Sequence, residues 1–532
     1  MPLLTLSPGK LSMAAPNPQR LVAFIDIGTT SLRMTIAQIE AGGAVRPLEY
    51  LRQALSLGKD TFTKGFIEKT SIEECVGGLQ KFRRVLEEFG IMQDEAIRAV
   101  ATTAVREATN RDAFIDRVYI AAGFKVEILD DRDVVRLTYR SAHTILGSDP
   151  AVMRGQVLLC DMGGGSTELL VLQKGGIVLA QSFRLGSLRL REMLEKFNAA
   201  SRGQRTLMES EIRRTVDQAL HGIPPGTPRH LIALGGDIRF AANRILPEFD
   251  ELLPARMPLG LLEKFAEETL SLSVNDCVRR YRLSYPEAET LAPNLLFFVR
   301  FCKALGIKSL IVSGISMQHG ALLEMSKSEP SDEDFKYQIH SSAWEIVKRY
   351  RADEAHAKYV ERVCGVLFSR LTEEHRLSPW YGVLLSVAAI LHDIGMYISA
   401  RSHHKHSMYL IQNSDLFGLS RSDVTLVALV ARYHRRATPR AVHPEYAALS
   451  REERLAVAKL AAILRVADAL DRSHSQRISP VDCRREKGRF VIVVKNVEDL
   501  TIEQLGIASK GDMFEEVYGR SVVLEKKDTS KD

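Results

Sequence analysis

Asp161-Met162-Gly163-Gly164-Gly165-Ser166-Thr167-Glu168, entered from the apolar run Val157 to Cys160, decides the fold. It reads as a strand, a tight turn and a second strand, Leu169 to Leu172. Glycine there allows close approach of the backbone to a ligand. Successive backbone N–H groups, helped by Ser and Thr hydroxyls, make a nest for phosphate oxygens. The same design stands earlier: Asp26-Ile27-Gly28-Thr29-Thr30-Ser31 follows the apolar run Leu21 to Ile25 and leads into Leu32 to Ile39. Each loop sets an Asp at a strand end, where it can hold a cation or a water beside a phosphate. One Gly-rich turn is often only a hairpin. Two, each opening its own α/β half, predict a cleft that grips a phosphate chain from both sides.

A chain of 532 residues is too long for one core, so several domains are expected. Residues 1–20, with Pro2, Pro8, Pro16 and Pro18, read as a disordered tail. Residues 21–147 form a first half. Its helix is predicted to start at the capping box Ser71-Ile72-Glu73-Glu74 and to run to Glu88. Residues 148–326 restart with strand, loop and strand, then reach Leu231 to Asp237 through helices. Two similar α/β halves suggest a duplicated architecture. After a polar linker near Glu329 to Asp334, residues 331–475 read as helices at 333–351, 353–374, 380–397, 404–413, 420–434 and 451–472. Residues 480–528 read as a small α/β cap with strands at Arg489 to Lys495 and Ser521 to Leu524.

Lys and Arg number 72 against 66 Asp and Glu, a net charge of +6, which suits an anionic ligand without demanding nucleic acid. The six cysteines form no CxxC pair, which argues against a zinc ribbon and for a reducing, cytoplasmic setting. No apolar run reaches the roughly 18 residues of a membrane span.

Nearly the whole chain after residue 20 resembles the exopolyphosphatase and guanosine pentaphosphate phosphatase (Ppx/GppA) family. The resemblance rests on Asp26 to Ser31 with Arg33, Thr102 to Ala108 with Asn110, Asp161 to Glu168, Leu185-Gly186-Ser187 and Gly235-Gly236. It implies two RNase H-like halves of the actin, sugar kinase and Hsp70 fold group. It also implies Mg²⁺-dependent hydrolysis of the terminal phosphate of inorganic polyphosphate or the 5′-phosphate of guanosine pentaphosphate, and a homodimer. The expected phosphate ligands are Asp26, Gly28, Thr29, Thr30, Ser31, Arg33, Gly163, Gly164, Gly165, Ser166, Thr167, Gly235 and Gly236. Arg106, Asp161, Glu168 and Asp133 are the expected catalytic groups, with Asp161 and Glu168 suited to Mg²⁺ because that ion prefers oxygen. Arg106 suits phosphate because its fork donates in pairs, though a lone Arg is also an ordinary surface residue.

The run His392-Asp393-Ile394-Gly395, followed by His403-His404-Lys405-His406-Ser407, resembles the helical HD domain of longer members. Ten of the 14 histidines lie between His340 and His474. With His356 before and Asp468 after, they give the His, His-Asp, Asp order of HD-type metal phosphohydrolases, suited to Mn, Fe or Mg. His406 and His434 are candidates for a second metal or a phosphate. The bland alternative is a degenerate HD fold kept for dimerisation and polymer binding. The basic stretch Arg432, His434, Arg435, Arg436 and Arg440 reads either as a polyphosphate channel or as a solvated loop.

The chain departs from the family in three places. Asp237 stands where Thr is usual, and Gln318-His319-Gly320 replaces Arg-Glu-Gly. The family's Gly-x-Glu-Glu-Ala-Arg-Leu, whose second Glu is the presumed general base, is replaced by Asp131-Arg132-Asp133-Val134-Val135-Arg136-Leu137. Val134 takes the base position and can neither accept a proton nor orient water. The expectation is therefore a slow first site or a binding protein. A regulator that holds polyphosphate or a nucleotide alarmone, and chemistry at the HD metal site instead, remain as alternatives.

Overall fold

The computed structural model describes residues 20–40, 43–146, 155–196, 201–226, 229–250, 253–326, 332–435, 437–478, 480–494, 497 and 499–526. The expected tail falls outside these apart from Arg20, which opens the first strand.

β1 (Arg20–Ile27), β2 (Ser31–Ile39), β3 (Val45–Ala54), β4 (Ile97–Ala101) and β5 (Val126–Ile128) form one sheet in the order β3-β2-β1-β4-β5. The first three strands pair antiparallel, and β4 and β5 join in parallel through helical crossovers. β6 (Gln156–Met162), β7 (Thr167–Gln173), β8 (Gly176–Phe183), β9 (Arg229–Leu234), β10 (Ala255–Pro258) and β11 (Ser309–Val312) form a second, in the order β10-β11-β9-β6-β7-β8. Followed as β8-β7-β6-β9-β11, it repeats the first sheet's order and adds β10 at the edge. This is the duplicated α/β architecture expected from the two loops.

Both sheets are covered on both faces, so their central strands are continuous apolar runs. In β6, Leu158 and Cys160 face one cluster with Leu291, Leu295 and Phe298 of helix Tyr285–Leu305. Val157 and Leu159 face another, with Val135 and Tyr139 of helix Asp131–Leu146. That second cluster continues without a break through Phe335, Ile339 and Ala343 into the C-terminal helices.

The C-terminal helices fall at Asp332–Arg349, Glu354–Arg370, Pro379–Leu391, His403–Gln412, Arg421–Arg432 and Arg451–Ala469, within a few residues of expectation. The stretch Pro379–Tyr397 has the length and apolarity of a membrane span, but 61% of it is buried in the helical core. β12 (Pro480–Glu486) pairs with β13 (Arg489–Val494), and β13 with β14 (Ser521–Lys526), to close the chain. One local expectation fails: the early helix spans Lys69–Glu88 with Glu68 at its N-cap and no side-chain cap. Ser71 lies buried inside the first turn, so it does not cap the helix.

Candidate phosphate cleft and metal centre

The two loops are built alike. Gly28 N–H donates to Ser31 O at 3.0 Å and Gly163 N–H to Ser166 O at 2.9 Å. The flanking strands bring Asp26 opposite Arg33 and Asp161 opposite Glu168. The loops meet across the cleft, where a Cβ on Gly164 would lie 3.1 Å from Thr29, and Ser166 also meets Thr103 of the helix Thr103–Glu107, their hydroxyls 3.2 Å apart. A Cβ on Gly165 would lie 2.8 Å from Thr103, so only glycine admits this approach. One rim is closed by Arg189, which bonds Gly165 O at 2.8 Å and Glu107 at 2.8 Å. Leu185-Gly186-Ser187 backs the Gly163–Gly165 turn, with Ser187 N–H donating to Gly163 O at 3.0 Å.

The carboxylates in the cleft are desolvated. Burial raises the pKa of Asp26 and of Asp161, partly offset by Arg33. Burial and the neighbouring Asp161 push Glu168 up to about 8, although Ser166 Oγ donates to it at 2.6 Å. Asp26 Oδ1 is buried without a hydrogen-bond partner. Carboxylates gathered this way with an orphaned oxygen fit a hard divalent cation such as Mg²⁺. Arg33 lies 3.6 Å from Asp26 and donates to Ser31 Oγ at 2.9 Å. A Cβ on Gly235 would lie 3.1 Å from Asp161 Oδ1.

Arg106 donates to Leu129 O at 2.6 Å and pairs with Asp131, a residue outside the expected set. Asp131 lines a cavity together with Arg106, and its charge adds to the rise in the pKa of Glu168. Asp133 does not line that cavity. Its carboxylate accepts from Asp130 N–H at 3.3 Å and pairs with Arg136 at 3.4 Å. Val134 is partly buried against Leu129, Leu137 and Met317. The acidic pair Asp130-Asp131 is the signal the sequence carries for this position, and motif register points past it along the helix. Asn110 is a brace: its side chain exchanges hydrogen bonds with the Ile67 backbone at 2.8 and 2.9 Å. Gln318 accepts from Thr35 Oγ1 at 3.1 Å and ties the lobes where the family motif differs.

The cleft opens into a cavity of about 610 Å³ toward the C-terminal helices, lined by Arg106, Asp131, Arg132, Gln181, Asp415 and Arg421 among others. The expected basic channel is not part of it. Arg432 pairs with Glu445 at 3.3 Å, His434 is buried elsewhere, and Arg436 lies outside the described residues.

In the helical region four histidines converge with two aspartates. His356, His392 and Asp468 form one set of atoms within 4.8 Å of one another, and Asp393, His403 and His434 form another. His392, His403 and His434 each direct Nδ1 to a backbone carbonyl, at 2.7, 3.1 and 2.6 Å. His356 directs Nδ1 to Asp471 at 2.8 Å. These bonds orient each ring and leave Nε2 pointing inward, as metal-ligating histidines require. His356 Nε2, His392 Nε2 and Asp393 Oδ1 are buried without hydrogen-bond partners. Burial, aided by His392, pushes His434 down to about 3, keeping it neutral. Burial opposes charge on His356, but the Asp468 carboxylate 3.7 Å from Nε2 and the bond to Asp471 carry it up to about 9, a proton where a cation would sit. His406 joins neither set; His403, three residues earlier, takes the expected place. Helix phase, invisible in a His-rich run, decides between them. Lys510 of helix Thr501–Lys510 pairs with Asp468.

Apposed phosphate loops backed by buried carboxylates and arginines define a two-lobed phosphoryl-handling enzyme. The description "Ppx/GppA phosphatase family" matches residues 35–329, and "Ppx/GppA phosphatase, domain III" matches residues 340–503. The chain belongs to the Ppx/GppA phosphatase family, and is an enzyme of the phosphoanhydride-hydrolase class. It is 26% identical over 466 residues to the guanosine-5′-triphosphate,3′-diphosphate pyrophosphatase of Photobacterium profundum, covering 86% of this chain and 88% of that one. The protein of the same name from Pseudoalteromonas translucida is 25% identical over 434 residues, covering 80% and 82%. The structure of a Cytophaga hutchinsonii exopolyphosphatase shares the fold, with a TM-score of 0.52 and 21% identity, covering 58% of this chain and 98% of that chain.

Proposed function

We propose that the cleft hydrolyses the terminal phosphate of inorganic polyphosphate. The feature that supports this reading is the close approach of the two like-built phosphate loops, where a Cβ on Gly164 would lie 3.1 Å from Thr29, with Thr103 of the helix Thr103–Glu107 meeting Ser166 at 3.2 Å. The loop amides and Arg106 bind the terminal phosphate and Arg33 the next. Asp26, Asp161 and Glu168 would hold Mg²⁺, which supplies charge neutralisation on the phosphate oxygens. Asp131, held by Arg106, orients the attacking water and accepts its proton; Val134 has no part in the chemistry. In-line attack then needs only this positioning and charge stabilisation.

Guanosine pentaphosphate is the second reading, favoured by the names of the full-length relatives. Phosphate release from each substrate with Mg²⁺, measured on the full chain and on Asp161→Ala and Glu168→Ala, tests both. Wild-type rates in either variant would remove these residues from the mechanism. The helical region is read as an HD-type metal domain that binds Mn, Fe or Mg, in a cytoplasmic homodimer.

A further inference from the structure

The helix that begins at Asp131 is held in its later turns by the α/β lobes. Arg136 and Arg140 both reach Glu324 of helix Met317–Ser326, Arg140 at 3.3 Å. Its first turn is held differently. Asp130 and Asp133 cap it reciprocally: Asp133 N–H donates to Asp130 Oδ1 at 2.9 Å, and Asp130 N–H to Asp133 Oδ2 at 3.3 Å. The next two side chains point apart, because successive helical residues stand about 100° round the axis. Asp131 turns to Arg106 in the cleft. Arg132 turns to the helical region, where its Nη2 donates to Ser414 O at 3.2 Å.

That acceptor is itself fixed. Ser414 is buried just past helix His403–Gln412; its N–H donates to Ile411 O at 3.2 Å and its hydroxyl to Leu410 O at 2.7 Å. Further on, Phe417 meets Tyr139 of the Asp131 helix edge to face, with ring centres 5.1 Å apart. The segment from Ser414 to Phe417 therefore grips this helix both at its start and further along. Helix starts fray because their first N–H groups lack partners within the helix. Consecutive Cα atoms are about 3.8 Å apart, so whatever holds Arg132 also holds Asp131.

We propose that Arg132 is a positioning residue: its bond to Ser414 O uses the helical region to hold Asp131 at the angle from which it takes the proton of the attacking water. The proposal rests on the reading of Asp131 as the general base. It gives the helical region a part in the chemistry of the cleft that is independent of any metal at its histidines. Arg132 also lines the large cavity beside Arg106, so the rival role is direct contact with a substrate phosphate. The two roles move different constants: a misplaced base lowers kcat, and a lost ground-state contact raises KM.

The test measures steady-state phosphate release with Mg²⁺ by the full-length protein, on polyphosphate and on guanosine pentaphosphate. The variants are Arg132→Ala, Arg132→Lys, Asp131→Asn, and Arg132→Ala combined with Asp131→Asn. Arg132→Ala is expected to lower kcat by roughly tenfold to a hundredfold, the cost of an ångström-scale misplacement, with KM within about twofold. Arg132→Lys still donates to a carbonyl and should recover much of that loss. With Asp131 already replaced, the loss from Arg132→Ala should shrink to about twofold or less, because no base remains to be positioned. A rise in KM at unchanged kcat makes Arg132 a substrate ligand and overturns the proposal. So does an Arg132→Ala loss that persists in full beside Asp131→Asn. Wild-type rates in Asp131→Asn sink the base reading and the proposal with it. A slow Asp131→Asn beside a fast Arg132→Ala leaves the base reading standing and removes the positioning role alone.

Discussion

At the scale of single residues, one position carries the catalytic argument. Motif register puts valine where a base is expected, and in the structure Val134 packs on Leu129 and Leu137, with no proton-accepting atom to offer. The register did not reveal that Asp131, at the start of the same helix, is drawn to the cleft by Arg106. Asp131→Asn is expected to lower phosphate release by about 10²–10⁴-fold, the usual cost of losing a general base. Asp133→Ala should stay within a few-fold of wild type in the same steady-state assay. If Asp133→Ala is the variant that dies, the helix start is arranged differently in the working enzyme. Val134→Glu would bury a carboxylate against apolar neighbours and should lower thermal stability without accelerating turnover.

At the scale of elements, the helices and the loop strands were legible because their apolar periods are long and clear. β12 was missed: Pro480 to Glu486 carries Arg and Glu along an edge strand and shows no alternation. The metal-competent cluster was legible as an order of residue types, and its second half was not, because His403, His404 and His406 differ only in helix phase. Elemental analysis of purified protein should find up to two divalent ions per chain. Asp393→Ala should lose both, since Asp393 reaches His392, His403 and His434. His403→Ala should lose one, and His406→Ala none. Equal metal content in Asp393→Ala and wild type would leave the cluster as a purely structural hydrogen-bond network.

At the scale of the whole molecule, the cleft carboxylates link stability to pH and to metal. Glu168 rises to about 8, and Asp26 and Asp161 rise also, so the folded chain holds protons that the unfolded chain has released. Stability from these groups is therefore full at acid pH and lost as pH climbs toward 8. A bound divalent cation favours the ionised forms. Mg²⁺ should thus raise Tm more at about pH 8.5 than at about pH 6, and Glu168→Gln should flatten that difference. A Mg²⁺ shift independent of pH in both proteins would detach these carboxylates from the ion.

The apolar cluster that runs from the second sheet into the C-terminal helices has a consequence for the order of synthesis. The first sheet buries one face under its own helices, with Leu79, Phe82 and Phe114, and can do so once those residues have emerged. Val157, Leu159, Leu172 and Ile177 have only Val135, Tyr139 and Ala142 of the preceding helix over them until Phe335, Ile339 and Ala343 are made. During translation at about 5–20 residues per second, this face of the second sheet waits for a stretch of chain more than a hundred residues downstream. Nascent chains arrested shortly before Phe335 should accordingly be the ones that chaperones hold and proteases cut, and that vulnerability should vanish once the helices have left the ribosome.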